Sequence, residues 1–223
     1  MNKEETVMQE KKKVLFIGDF KHANWHPATD IDQIISELLS ETMAVTVEED
    51  YASLTLETLR EYDLLINYAD QWKDRGSARA AGAIAAYAAT GGAVIGLHSG
   101  IIAPLDQYQE IPMLFGARFT NHPPYTDLTY EAVDSGKSHP IMEGFQSFTM
   151  GEEPYMFEMN NFGRLEHLID YEYEGERRPA DWIVHFGLGR IVYLAQGHDP
   201  RSFRNADFQK LLLRSALWAT GQL

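Results

Sequence analysis

The chain has 223 residues, 44% hydrophobic and 23% charged, enough apolar mass for one large core and too little for two. Nineteen Lys and Arg against 33 Asp and Glu leave a formal charge of −14, which repels both nucleic-acid backbones and anionic lipid surfaces. Cysteine is absent, so disulfides, thiolate metal sites and cysteine-nucleophile chemistry are excluded.

Residues 1–12 read as a polar, flexible lead-in without the apolar core of a signal peptide. No stretch approaches the ~18–20 apolar residues of a membrane span, so a cytoplasmic location is expected. Val14-Leu15-Phe16-Ile17, ending in Gly18-Asp19, has the pattern of a strand buried on both faces. Residues 28–41 place Ile31, Ile34, Ile35, Leu38 and Leu39 on one helical stripe. Met43 to Val47 predicts a second strand, Ser53 or Thr55 caps a short helix through Arg60, and Asp63 to Asn67 predicts a third strand. An Ala-rich helix over Ala78–Ala89 stops at Thr90-Gly91-Gly92 and leads into a strand over Ala93–Leu97. This alternation predicts a parallel sheet with right-handed crossovers. Beyond residue 115 strands dominate, at Thr126–Val133, Tyr171–Tyr173, Trp182–His185 and Arg190–Ala195, before a closing helix from Ala206 to Thr220. The expectation is one domain over 13–223: an α/β three-layer sandwich whose doubly wound, mainly parallel sheet carries an antiparallel extension.

Ligands of such sheets sit beyond the carboxyl ends of the strands, so the residues just after each strand carry the chemistry. Gly96-Leu97-His98-Ser99-Gly100 has the glycine spacing of a nucleophile elbow, with His98 at the tip. Gly197-His198-Asp199-Pro200 puts a second histidine at a strand end, beside a carboxylate able to fix its tautomer or share a metal. Asp19, His22 and His26 follow the first strand. His26 precedes Pro27 near a helix start, which predicts a structural or solvent-facing role for it. Asn121-His122-Pro123-Pro124 is a rigid turn presenting one histidine, and Glu152-Glu153-Pro154-Tyr155 adds two carboxylates and a phenol. No G-x-G-x-x-G, Walker loop or H-E-x-x-H helix is present.

Taken in order, these segments resemble the ThuA-like, trehalose-utilisation family of the class I glutamine amidotransferase-like fold, from about Lys13 to Gly221. The resemblance rests on Lys21-His22, Gly91-Gly92, the His98 elbow, Gly116-Ala117-Arg118-Phe119 with His122-Pro123-Pro124, and His139-Pro140. It continues through Glu152-Glu153-Pro154-Tyr155, Pro179 with Trp182, and Gly189-Arg190 on to Gly197-His198-Asp199. Glutaminases of that fold carry cysteine at the elbow, where this chain has His98, so thioester hydrolysis of glutamine cannot occur. Relatives often carry alanine at the position of Gly100, a turn where either small residue is expected to fit.

The resemblance implies a protein of carbohydrate metabolism acting on a small sugar or keto-sugar. His98, His198 and Asp199 are the expected catalytic group, with His22, Ser99, His122, Glu152 and Tyr155 as substrate contacts. Three readings stay open. His98, His198 and Asp199, joined by His22 or His122, ligate a divalent metal such as zinc, with Glu152 or Glu153 as further candidates to complete the set. The same histidines act without metal as general acid and base, largely neutral at pH 7 unless a carboxylate intervenes. Or the cleft belongs to a non-catalytic carbohydrate-binding or regulatory module in which Trp25, Trp72 and Tyr125 stack on sugar faces. A homodimer is the default assembly, with no nucleic acid and no membrane as partner.

Overall fold

Leu64 to Ile66 and most of Ala93 to Leu97 show almost no surface, the burial on both faces that their unbroken apolar runs require. The computed structural model describes residues 10–21, 23, 25–72, 76–160 and 163–223. Its first half runs β1 (Lys12–Ile17), α1 (Ile31–Leu39), β2 (Met43–Glu48), α2 (Leu56–Leu59), β3 (Leu64–Asn67), α3 (Ala78–Ala89) and β4 (Ala93–Leu97). Then come α4 (Glu110–Phe115), β5 (Ala117–Asn121), β6 (Thr126–Ala132), β7 (Phe148–Glu152) and β8 (Met156–Met159). The chain ends with β9 (Arg164–Tyr173), β10 (Glu176–Phe186), β11 (Gly189–Leu194), α5 (Pro200–Phe203) and α6 (Ala206–Ala219).

Among the described residues, nine strands form one sheet in the order β2-β1-β3-β4-β11-β10-β9-β6-β7. β2, β1, β3, β4 and β11 are mutually parallel. β10, β9, β6 and β7 extend the sheet antiparallel, and β5 pairs with β8 in a separate ribbon. α1, α5 and α6 touch one another on one side of the sheet, and α2, α3 and α4 on the other, which makes three layers. The apolar stripe of α1 buries Ile31, Ile35 and Leu39, and that of α6 buries Phe208, Leu211, Leu212 and Ala216. Thr55 and Thr58 cap α2 reciprocally, and Ser77 caps α3. No helix among the described residues is long and apolar enough to cross a membrane.

Two expectations are corrected. Lys12 is not part of a lead-in: it pairs with Met43 in β1, and its ammonium binds Asp63 at 2.9 Å. Gly100 does not sit in a turn open to either small residue. Asn67 Nδ2 donates to Gly100 O at 2.7 Å, and a Cβ on Gly100 would stand 2.0 Å from the backbone oxygen of Asn67. Gly100→Ala therefore forces β3 away from the elbow that carries His98. It should lower stability by about 1–3 kcal/mol in urea denaturation. An unchanged midpoint and slope would contradict this close approach.

Candidate functional site

The sheet reverses its winding between β1 and β3, and the loops after β1, β3, β4 and β11 converge there. His26 lies in the first loop, anchored where Ala28 N donates to Asp19 O at 2.8 Å. Asp70 follows β3. His98 follows β4 at once, opening a 3-10 turn over His98–Ile101, with φ of 41°. That left-handed backbone is strained for a non-glycine residue, as at a nucleophile elbow, and tolerable where neighbouring glycines relieve crowding. His198 comes after β11, just beyond Gly197, whose φ is 128°. Glu153 stands at the end of β7.

Glu153 is the hub. Its Oε2 lies 3.2 Å from His198 Nδ1, 3.4 Å from His98 Nε2 and 3.6 Å from His26 Nε2. The ring centroids are 4.8 Å apart for His26 and His98, 5.4 Å for His26 and His198, and 5.6 Å for His98 and His198. One donor atom from each of the four residues lies within 4.8 Å of the others. Ligands ~2.0–2.2 Å from a tetrahedral centre stand ~3.3–3.6 Å apart, so the three distances to Glu153 fit a single ion. His98 Nε2, His198 Nδ1 and Glu153 Oε2 are all buried and lack a hydrogen-bond partner, an arrangement that a folded protein avoids without a ligand.

Contacts on the outer side orient the rings. His98 Nδ1 donates to Ala195 O at 2.7 Å, which turns the lone pair of Nε2 toward Glu153. Burial lowers the pKa of His98 to about 4, against the pull of the Glu153 carboxylate, so its imidazole is neutral at pH 7. His26 Nδ1 donates to Asp70 Oδ2 at 3.0 Å, and Asp70 Oδ1 accepts from Trp72 N. Burial pulls the pKa of His26 down, but the hydrogen bond to Asp70 and the nearby Glu153 carboxylate raise it overall, so carboxylates intervene at this ring. Burial likewise opposes ionisation of Glu153, and the adjoining rings of His198, His26 and His98 outweigh it to hold the carboxyl well below its usual range.

The cluster opens into a cavity of about 560 Å³, walled by Trp25, Trp72, Ile102, Phe119 and Tyr155, with His122 also lining it. His122 Nδ1 is 3.7 Å from Glu153 Oε1. Tyr155 is 1% exposed, and its ring lies on that of His98 at 4.0 Å. Burial pushes its phenol well above the usual range, so it stays protonated 3.4 Å from His26 Nε2.

Three expected site residues face elsewhere. Asp199 caps α5 through Arg201 N at 2.8 Å and grips the Arg201 guanidinium, so Glu153 rather than Asp199 meets the His198 ring. Ser99 Oγ donates to Tyr68 O at 2.7 Å and is fully buried, a tie between β3 and β4 rather than a substrate contact. Glu152, also fully buried, accepts Gly197 N at 2.9 Å, His198 N at 3.2 Å and the Ser202 hydroxyl, so it fixes the His198 loop from behind. His22 lies outside the described residues. His26, expected to be structural or solvent-facing, is 4% exposed and inside the cluster, because the loop after β1 folds inward. Asp70 escaped notice altogether. Its only sequence signal was its place three residues past a buried strand.

A family profile named ThuA and described as trehalose utilisation matches residues 13–219. Among solved structures, a protein of Bacteroides uniformis described as ThuA-like is 18% identical, with a TM-score of 0.78 over 93% of this chain and 91% of that one. A ThuA-like protein of Parabacteroides merdae is 19% identical, with a TM-score of 0.78 over 95% and 90%. A protein of Salmonella typhimurium described as cytoplasmic is 13% identical, with a TM-score of 0.67 over 93% and 99%. No curated protein matches the sequence.

Beneath the cluster, Asp181 accepts from Ala195 N at 2.9 Å and Gln196 Nε2 at 3.0 Å. Burial pushes its carboxyl from 3.8 up to about 7, against the hydrogen bonds from Ala195 and Gln196. Between those two values the folded chain holds a proton that the unfolded chain has released. The stability tied to this proton is full at low pH and is lost as pH rises through about 7. Asp181→Asn should flatten that fall, because the amide does not ionise. Urea denaturation at pH 5 and pH 8 measures it, and parallel profiles for both proteins would contradict it.

Proposed function

Because the chain belongs to the ThuA, trehalose-utilisation, family, we propose that it acts on a small uncharged sugar or keto-sugar at a divalent metal. His26, His98, His198 and Glu153 hold the ion. The observation that carries this reading is the set of three buried, unpartnered atoms on His98, His198 and Glu153 that face one another. Neutral imidazole beside one carboxylate suits zinc, manganese or iron better than calcium, which takes oxygen ligands. The ion supplies Lewis acidity to a hydroxyl or carbonyl oxygen of the sugar. Tyr155, which stays protonated, donates a hydrogen bond at the same point, and Asp70 keeps His26 in the ligating tautomer.

The carbohydrate itself comes from the family's description. An uncharged ligand fits because no Lys or Arg is among the described residues lining the cavity. The acidic surface disfavours nucleic acid and anionic lipid as partners, and the cytoplasm is the proposed setting. The Asp70–His26 pair also supports a second reading, in which His26 and Glu153 move protons without metal.

Calorimetry with zinc and with manganese should give one site per chain. Glu153→Gln and His198→Ala should each weaken it at least ~100-fold, and Asp70→Asn ~10–100-fold. A turnover screen of keto-sugars and disaccharides, run with and without chelator, then separates the readings. Loss of turnover on chelation supports the metal centre. Unchanged turnover supports metal-free acid–base chemistry, and sugar binding without turnover supports a binding module.

A further inference from the structure

A second cavity of about 620 Å³ adjoins the one over the cluster. Trp72, Ile102 and Phe119 line both, so the two cavities are neighbours that share these three side chains. Trp72 is 41% exposed and meets Phe119 edge to face at 6.3 Å between centroids.

The two compartments differ in chemistry. The first gathers imidazoles and carboxylates. The second is floored by the buried side chains of Ile101, Ile102, Ala103 and Pro104, and its polar residues, such as Asp106 and Thr120, are exposed at the rim. The one cation among its described lining residues, Arg118, is engaged by Glu158. A second sugar ring needs hydrogen-bond partners around its hydroxyls, and this floor has no polar side chain. A flat apolar group needs only the area and the aromatic edge that the compartment provides.

We propose that the second compartment is a subsite for the aglycone of a glycoside, and that this aglycone is aromatic or otherwise flat and apolar. Resting on the reading of the first cavity as a metal-dependent sugar site, the proposal makes the substrate amphipathic. Its sugar lies against His26, His198 and Glu153, and its apolar group reaches past Trp72 and Phe119 over Ala103.

The test uses the zinc-loaded full chain with methyl and phenyl D-glucopyranosides of both anomers. Calorimetry should show the phenyl glycoside of one anomer binding about tenfold tighter than its methyl counterpart. Saturation-transfer NMR should place the strongest contact on the phenyl ring. Ala103→Trp, which fills the compartment, should abolish that advantage and leave methyl glycoside affinity within about twofold. Thr120→Trp plugs the same compartment from an exposed position, and serves if the Ala103 variant fails to fold. Phenyl and methyl glycosides of equal affinity would overturn the subsite and leave the sugar site standing. So would an advantage that survives a plug that folds. Zinc binding without affinity for any glycoside would defeat the sugar reading, and the subsite with it.

Discussion

Burying three imidazoles beside a carboxylate is costly unless each ring is held so that its ligating nitrogen has no choice of direction. That orientation comes from the side away from the cavity. Asp70 holds His26 from the end of β3, and the Ala195 carbonyl holds His98 from the end of β11. Glu152 holds His198 through its backbone rather than its ring. Each support belongs to a different strand from the histidine it orients, or to a distant part of the chain. The site therefore exists only when the sheet is assembled in register, and few single strands can shift without turning a lone pair away.

The elbow after β4 shows how a fold can keep a strained turn and change its chemistry. The positive φ at His98 projects the tip residue toward the cleft, a placement that suits a nucleophile. With histidine there and no cysteine in the chain, the same geometry aims a neutral nitrogen at Glu153. What covalent catalysis would have used as an attacking atom becomes a donor atom.

The parallel half of the sheet was legible because its strands are buried on both faces and read as unbroken apolar runs. β5, β7 and β8 were not, since MFEM carries neither such a run nor an alternation, and the alternation of FTMGE ends on a buried glutamate. The tyrosine-rich and Trp182-containing stretches marked β9 and β10, but their lengths of 10 and 11 residues follow from pairing with each other. At the site, His98 and His198 were legible as strand-end histidines. His26 was not, because proximity to Pro27 signals a helix entrance and says nothing of which way the loop folds. Asp199 drew attention as the carboxylate nearest in sequence, whereas the fold delivers Glu153 from 45 residues earlier in the chain and leaves Asp199 to its helix.

Glu152 and Glu153 are chemically identical neighbours, yet one is a strut behind the His198 loop and the other faces the cavity. Only the alternation of an extended chain separates them. Inserting or deleting a single residue within β7 would exchange their places, leaving composition and charge almost untouched. The connection from β6, which buries Ile141 and Met142, can take up a change of length outside the ladder, whereas β7 itself cannot. The site is indexed by counting, and a frame of one residue is enough to lose it.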